Sequence, residues 1–124
     1  MRRVYYNKLI RDNIPKKIEK TGAKCETRTL ADDDEYEQEL LKKAVEEASE
    51  LLRVRTREDL LGELADLSAV LEALKMQAKI SEDEFVKALA ENEQRKGGFE
   101  KRLFLHWSED SGYESNETPQ GMNG

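Results

Sequence analysis

Apolar residues recur at helical spacing along two long stretches of the chain. The first stretch carries Leu40, Ala44, Ala48, Leu51 and Leu52, and the second carries Leu60, Leu64, Leu67, Leu71 and Leu74. Steps of three and four residues place such positions on one face of an α-helix. The pattern therefore predicts two long helices, about residues 35–53 and 57–79, each with a face directed at a shared core.

Polar residues with capping potential mark where these two helices begin. The acidic run at residues 32–34 can cap the first helix and places negative charge at its N-terminal end, where the helix dipole favours it. Thr56 followed three residues later by Asp59 resembles a capping box, with Asp in place of Glu. These signals predict that a short turn joins the two helices, which would then run antiparallel.

Two further helices are predicted on either side of this pair. Near the N-terminus, Pro15 suits the first turn of a short helix that ends about residue 20, before Gly22. Ser81 and Glu84 form a full capping box for a last helix, which ends at the glycine pair 97–98. The fold class expected from the pattern is mainly all-α, built on four helices.

Two segments have extended character and predict a small β-hairpin. Residues 24–30 lack helical periodicity, and residues 99–107 alternate apolar positions at Leu103, Leu105 and Trp107. Residues 108–124 are mostly Ser, Glu, Asn, Gly and Pro, with almost nothing to bury. We expect one domain over residues 1–107 and a polar, disordered tail over 108–124.

Composition and charge narrow the classes of function. Charged residues make up 39% of the 124-residue chain, and the formal net charge of −6 argues against a general nucleic-acid binder. The single cysteine, Cys25, excludes an intrachain disulfide and fits a reducing compartment. No apolar run approaches the roughly 18 residues of a membrane span. The expectation is a soluble cytoplasmic protein without a membrane partner.

Four acidic residues interrupt the apolar faces of the two long helices. Glu47 and Glu50 stand three residues apart on the first helix, and Glu63 and Asp66 repeat that spacing on the second. Glu47 falls on the apolar side of its helix. The line through Glu63 and Asp66 continues into Val70, which is also not a solvent-facing pattern.

Carboxylates that converge on a partly buried seam repel one another unless a cation is present. Hard oxygen ligands suit magnesium, with manganese as a substitute, and no Cys/His cluster indicates zinc. The alternative is a solvated helix face laced with salt bridges, since a chain this rich in glutamate produces such spacings by chance. Spacing and periodicity leave both interpretations open.

Three motifs in order carry a resemblance to a known family. The segment 46–50 (EEASE), followed by 63–66 (ELAD), resembles the EExxE…ExxD signature of the MazG-like, all-α NTP pyrophosphatase superfamily. Residues 6–15 (YNKLIRDNIP) and 96–102 (KGGFEKR) resemble two stretches of its phosphoribosyl-ATP pyrophosphohydrolase-like branch. Asn13 and Lys96 depart from that branch, which usually has Lys and Arg there.

Membership of this superfamily implies a four-helix MazG-like bundle assembled as a homodimer or homotetramer. It implies that Glu47, Glu50, Glu63 and Asp66 bind magnesium, and that a nucleoside triphosphate is hydrolysed to the monophosphate and pyrophosphate. Glu47 or Glu50 would accept a proton from the attacking water. The resemblance does not include features that would fix the base or the sugar.

Basic and polar residues outside the helix pair are candidates for substrate binding. Lys8 and Arg11 could hold the outer phosphates, or they could pair with the acidic helix. Asn7 could contact a base or sugar, or cap the chain locally. Arg95 and Lys96 precede a glycine pair that could approach phosphate, although such pairs more often simply end a helix.

Two rival functions remain open on the sequence. One is hydrolysis of phosphoribosyl-ATP in histidine biosynthesis, which relies on related helical carboxylates. The other is a non-catalytic helical module that senses a nucleotide or drives oligomerisation. Comparing the turnover of phosphoribosyl-ATP with that of dNTPs distinguishes the first rival from NTP hydrolysis. Nucleotide binding without hydrolysis would identify the second.

Overall fold

The computed structural model of the chain describes residues 2–112, which are mainly helical. Its elements are α1 (Ile14–Lys20), α2 (Asp33–Glu50), a 3-10 turn (Leu51–Arg53), α3 (Arg57–Gln77) and α4 (Glu82–Lys96). The predicted all-α character is confirmed at this level. Of the predicted tail, residues 108–112 contain no helix or strand, and residues 113–124 lie outside the described residues.

Side-chain caps begin the three longer helices where the sequence places them. The Asp32 carboxylate accepts a hydrogen bond from a backbone N–H in the first turn of α2. The Thr56 hydroxyl accepts one from the Asp59 backbone at 3.0 Å and opens α3. Ser81 and Glu84 form the reciprocal capping box, with both N–H···O distances at 3.1 Å. The first backbone N–H groups of a helix have no carbonyl partner within that helix. The capping side chains accept hydrogen bonds from these groups and so stabilise the helix starts.

The predicted β-hairpin is wrong, since none of residues 2–112 forms a strand. The segment 99–107 does not begin as an extended chain. It begins with a turn in which the Arg102 N–H donates to the Phe99 carbonyl at 3.0 Å, and Arg102 has a φ of 56°. An extended segment becomes a strand only when a partner backbone takes its hydrogen bonds. Alternation at Leu103, Leu105 and Trp107 did not supply one, and these side chains stay exposed.

The packing of α2 against α3 forms the core of the described chain. Leu40 on α2 and Val70 on α3 are 3% and 8% exposed, and they are the buried apolar residues within 2–112. The predicted apolar face of α3 is wider than the face it buries, because Leu60, Leu64 and Leu71 remain at least 40% exposed. The packing of α2 against α3 buries only one side of each helix.

A buried lysine joins the end of α3 to the start of α4. Lys75 is 9% exposed, and its ammonium donates to Glu72 at 2.9 Å and to Glu82 at 3.0 Å. The same ammonium lies 4.1 Å from the ring centroid of Phe85. Hydrogen bonds to Glu72 and Glu82 raise the pKa of Lys75. The charge is thus paired where it is buried, and it links Glu72 on α3 to Glu82 in the first turn of α4.

The chain divides into two compact units, one ending at Lys87 and one beginning at Ala88. The first unit contains α1, α2, α3 and the first residues of α4, and it holds all four predicted metal ligands. The predicted domain boundary at residue 107 stays a prediction. Within the described residues, no helix has the length and apolar character that crossing a lipid bilayer would require.

Candidate metal centre

Two helices bring three of the four predicted ligands together. Glu47 on α2, and Glu63 and Asp66 on α3, each offer a carboxylate oxygen, and these oxygens all lie within 4.8 Å of one another. The i, i+3 spacing on α3 places Glu63 and Asp66 one turn apart on one face, and the pairing of α2 with α3 brings Glu47 opposite them. The convergence predicted from the sequence is present for these three.

The three carboxylates lie at the edge of the core, where the Asp66 side chain is still 45% exposed. The Glu47 side chain is only 15% exposed, and the α3 line through Glu63 and Asp66 runs on to buried Val70. Leu52, which the sequence placed on the buried face of α2, is instead 90% exposed. Glu47 therefore occupies a position on α2 that an apolar residue would normally fill.

Burial and neighbouring carboxylates both act on the side chain of Glu63. Burial raises the pKa of its carboxyl, and a hydrogen bond with Glu47 and the charges of Glu47, Asp66 and Glu50 raise it further. One of its oxygens, Oε2, is buried without a hydrogen-bond partner among the described residues. A buried carboxylate oxygen without a partner is costly, and a cation at this point would satisfy it.

The donor set fits a hard divalent cation. All three groups present carboxylate oxygens, which are the ligands that magnesium and manganese prefer, and no thiolate or imidazole belongs to the group. A cation would also offset the like charges that burial and proximity make unfavourable here. The orphaned Oε2 of Glu63 and the charge of the group point to the same kind of ion.

Glu50 lies on the same cleft but outside this group. It ends α2, and its Oε1 accepts from Arg53 Nη1 at 3.4 Å. An open cleft of about 330 Å³ is lined by Glu50, Glu63 and Asp66, with Gly62 in its wall. The assignment of Glu50 as a ligand or as a proton acceptor stays a prediction, with its position on the cleft now known.

Two lysines lie near the neighbouring glutamates Glu46 and Glu47 on α2. Lys8 donates to Glu46 at 2.6 Å, and the 14%-exposed Lys43 lies 3.5 Å from Glu46 and 3.8 Å from Glu47. The hydrogen bond from Lys8, followed by the charges of Lys43 and Lys8, lowers the pKa of Glu46. Sequence reasoning missed Lys43, although its spacing of three and four residues from these glutamates was a usable signal.

Arg11 is paired with one of the candidate ligands. Its Nη1 lies 3.3 Å from Asp66 Oδ1. A second open cleft, of about 420 Å³, is lined by Arg11, Asn13, Lys17 and Asp66. Lys17 was also missed, and no local spacing could have indicated it, because this cleft combines the N-terminal region with α3. Asp66 therefore lines both clefts.

The remaining predicted substrate residues are exposed. Asn7 has a φ of 47°, a left-handed conformation that asparagine tolerates, so its backbone redirects the chain just before Lys8. Arg95 and Lys96 form the last turn of α4 in the second unit. Their roles in substrate binding stay predictions.

Comparisons of the chain with protein-family models, with curated proteins and with solved structures find no match.

Proposed function

We propose that this protein is a magnesium-dependent nucleoside triphosphate pyrophosphohydrolase, which converts an NTP or dNTP to the monophosphate and pyrophosphate. The observation that carries the proposal is the approach of carboxylate oxygens from Glu47, Glu63 and Asp66 to within 4.8 Å of one another across two helices. The resemblance of residues 46–50 and 63–66 to the MazG-like signature independently selects the same residues. The proposed architecture is accordingly a MazG-like helical bundle.

The carboxylates of Glu47, Glu63 and Asp66 would hold the ion, with Glu50 completing the set from the end of α2. A bound divalent ion supplies charge neutralisation for phosphate oxygens and a lower pKa for a water molecule. The buried Oε2 of Glu63 supports this role because no described residue gives it a hydrogen bond. Manganese is a suitable substitute because it accepts the same hard oxygen ligands.

The reaction requires a water oxygen to form a bond to phosphorus while the bond to the pyrophosphate oxygen breaks. The proton released by the water passes to a carboxylate, and pyrophosphate leaves with the electron pair of the broken bond. Glu47 and Glu50 are the proposed acceptors. Both stay candidates, because Glu50 lines the cleft beside Glu63 and Asp66 and Glu47 belongs to the three-oxygen group.

Positive side chains would offset the charge of the triphosphate. Lys8 and Arg11 are proposed for this role, and both already contact acidic residues of α2 and α3. Asn7 is proposed to contact the base or the sugar. Arg95 and Lys96 stay further candidates for the phosphates.

We further propose a homodimer or homotetramer as the active assembly. Large apolar side chains are exposed on α2, on the 3-10 turn that follows it and on α3: Leu41, Val45, Leu52, Leu60, Leu61, Leu64 and Leu71 are 40–90% exposed. Apolar surface on this scale commonly marks a protein–protein contact. Light scattering tests the assembly, because a dimer or tetramer has two or four times the 14.3 kDa of one chain.

Pyrophosphate release tests the activity. The purified protein is assayed with and without magnesium on a panel of NTPs, dNTPs, modified dNTPs and phosphoribosyl-ATP. The Glu63→Gln variant should lose about 10–100-fold in rate or more, since residues that merely support a metal ligand already give losses of that size. Glu37→Gln removes the same charge from an exposed position on α2 and should keep the full rate. No magnesium-dependent release from any substrate contradicts the proposal, as does full activity of Glu63→Gln.

A further inference from the structure

Asp66 lines both clefts, and Arg11 is its ion-pair partner. The acidic cleft also contains Glu50 and Glu63, whereas the other, the Arg11 cleft, also contains Arg11, Lys17 and Asp12. The ion pair from Arg11 Nη1 to Asp66 Oδ1, at 3.3 Å, joins the two sets of charges. The same Asp66 carboxylate takes part in the three-oxygen group with Glu47 and Glu63.

We infer that Arg11 is an internal counter-ion of Asp66 that a divalent cation displaces, and that the freed guanidinium then binds a substrate phosphate in the Arg11 cleft. This inference rests on the proposed function and adds the order of events to it. Arg11 thus competes with the ion for Asp66 and is a binding residue for a polyphosphate ligand.

The exposure of the pair makes this exchange feasible. The Arg11 and Asp66 side chains are 63% and 45% exposed, so water already competes for both charges. Exposed ion pairs stabilise proteins only weakly, and breaking one changes an equilibrium about two- to fivefold. A divalent ion that gains two further carboxylates, from Glu47 and Glu63, can readily overcome a competitor of that strength.

The chemistry of Arg11 suits its second role. A guanidinium offers several N–H donors in a planar fork that matches the oxygens of phosphate. When Asp66 is engaged by a cation, its charge no longer holds Arg11, and the lysine on the same cleft contributes a second positive charge. Metal and phosphate should therefore bind cooperatively, because each removes one partner from the Arg11–Asp66 pair.

The test measures Mn²⁺ binding by electron paramagnetic resonance, without nucleotide, for the wild type, Arg11→Gln and Lys17→Gln. Lys17→Gln is the matched control, since it removes one positive charge from the same cleft while leaving the ion pair between Arg11 and Asp66 intact. Arg11→Gln should bind Mn²⁺ about two- to fivefold more tightly than Lys17→Gln, because no counter-ion has to leave Asp66. Arg11→Lys, which keeps the charge, should stay close to the wild type.

A second titration uses the manganese complex of inorganic pyrophosphate. Arg11→Gln should bind it about tenfold more weakly or worse, the loss typical of a hydrogen bond to a charged group, and Arg11→Lys should recover part of the affinity. Equal Mn²⁺ affinity in Arg11→Gln and Lys17→Gln, or weaker Mn²⁺ binding in Arg11→Gln, overturns this inference while the metal site stands. A wild-type protein that binds no Mn²⁺ overturns the proposed metal site together with it.

Discussion

Gly62 offers a direct way to separate the stability of α3 from the function of the acidic cleft. It lies inside α3, where glycine is less favourable than alanine by about 1 kcal/mol. A Cβ built at this position meets no heavy atom within 4 Å, so an added methyl group causes no clash within the described chain. Gly62 also forms part of the wall that carries Glu63 and Asp66.

Gly62→Ala should therefore stabilise the protein by about 1 kcal/mol. For a chain of 124 residues, that gain corresponds to a rise in Tm of roughly 4 °C. The methyl group leaves the carboxylates in place, so Mn²⁺ affinity should stay unchanged. Gly62→Leu should fold as well as Gly62→Ala but slow pyrophosphate release, because it adds a four-carbon side chain to the wall of the cleft next to Glu63.

Thermal and urea denaturation of the two variants, followed by circular dichroism, measures the stability difference. Ala65→Gly, at an exposed position of the same helix, calibrates the helix-propensity effect and should lower stability by a similar amount. If Gly62→Ala lowers the Tm, the space beside Gly62 is filled in solution, for example by a second subunit, and the reasoning is refuted. If Gly62→Leu keeps full activity, the substrate does not use this part of the cleft.

Two further predictions concern the pH dependence and the core. The pKa of Glu63 is raised above its ordinary 4.5, so near that pH the folded state binds more protons than the unfolded state. In metal-free buffer, the stability of the fold should therefore decrease as the pH rises from 4.5 through the raised pKa. Glu63→Gln lacks this loss, so its Tm advantage over the wild type should grow from pH 4 to pH 7, and an advantage that does not change with pH contradicts the assignment. Leu40→Ala should cost about 2–5 kcal/mol in urea unfolding, whereas Leu52→Ala, at a 90%-exposed position, should change stability by less than about 0.5 kcal/mol. Equal effects of the two substitutions would show that Leu52 is covered in solution.

The sequence predicted the helices well because a helix end depends on residues that are close together in the chain. The hydroxyl of Thr56 and the capping box of Ser81 and Glu84 act over three residues, and all three make the bonds that the sequence indicates. The hairpin could not be predicted in the same way. A strand at residues 99–107 needs a partner backbone elsewhere in the chain, and alternation at Leu103 and Leu105 carries no information about that partner.

The candidate site divides along the same lines. The i, i+3 spacing of Glu63 and Asp66 depends on one helix, and the turn between α2 and α3 brings Glu47 opposite them, so the sequence could predict this group. The pairing of Arg11 with Asp66 bridges 55 residues of sequence, and no spacing rule covers that separation. Sequence patterns therefore indicated Arg11 as a cation near the site without indicating its partner.

The N-terminal segment that carries Lys8 and Arg11 also has a consequence for how the protein opens. Its side chains bind Glu46 and Asp66 through contacts that span 38 and 55 residues, and those side chains are largely exposed. Residues 2–10 contain no helix or strand, so few backbone hydrogen bonds hold the segment. In native-state hydrogen exchange, its amides should exchange as a separate low-stability unit while α2 and α3 stay protected. The cations that pair with Glu46 and Asp66 thus lie on a segment that we expect to detach while α2 and α3 stay folded.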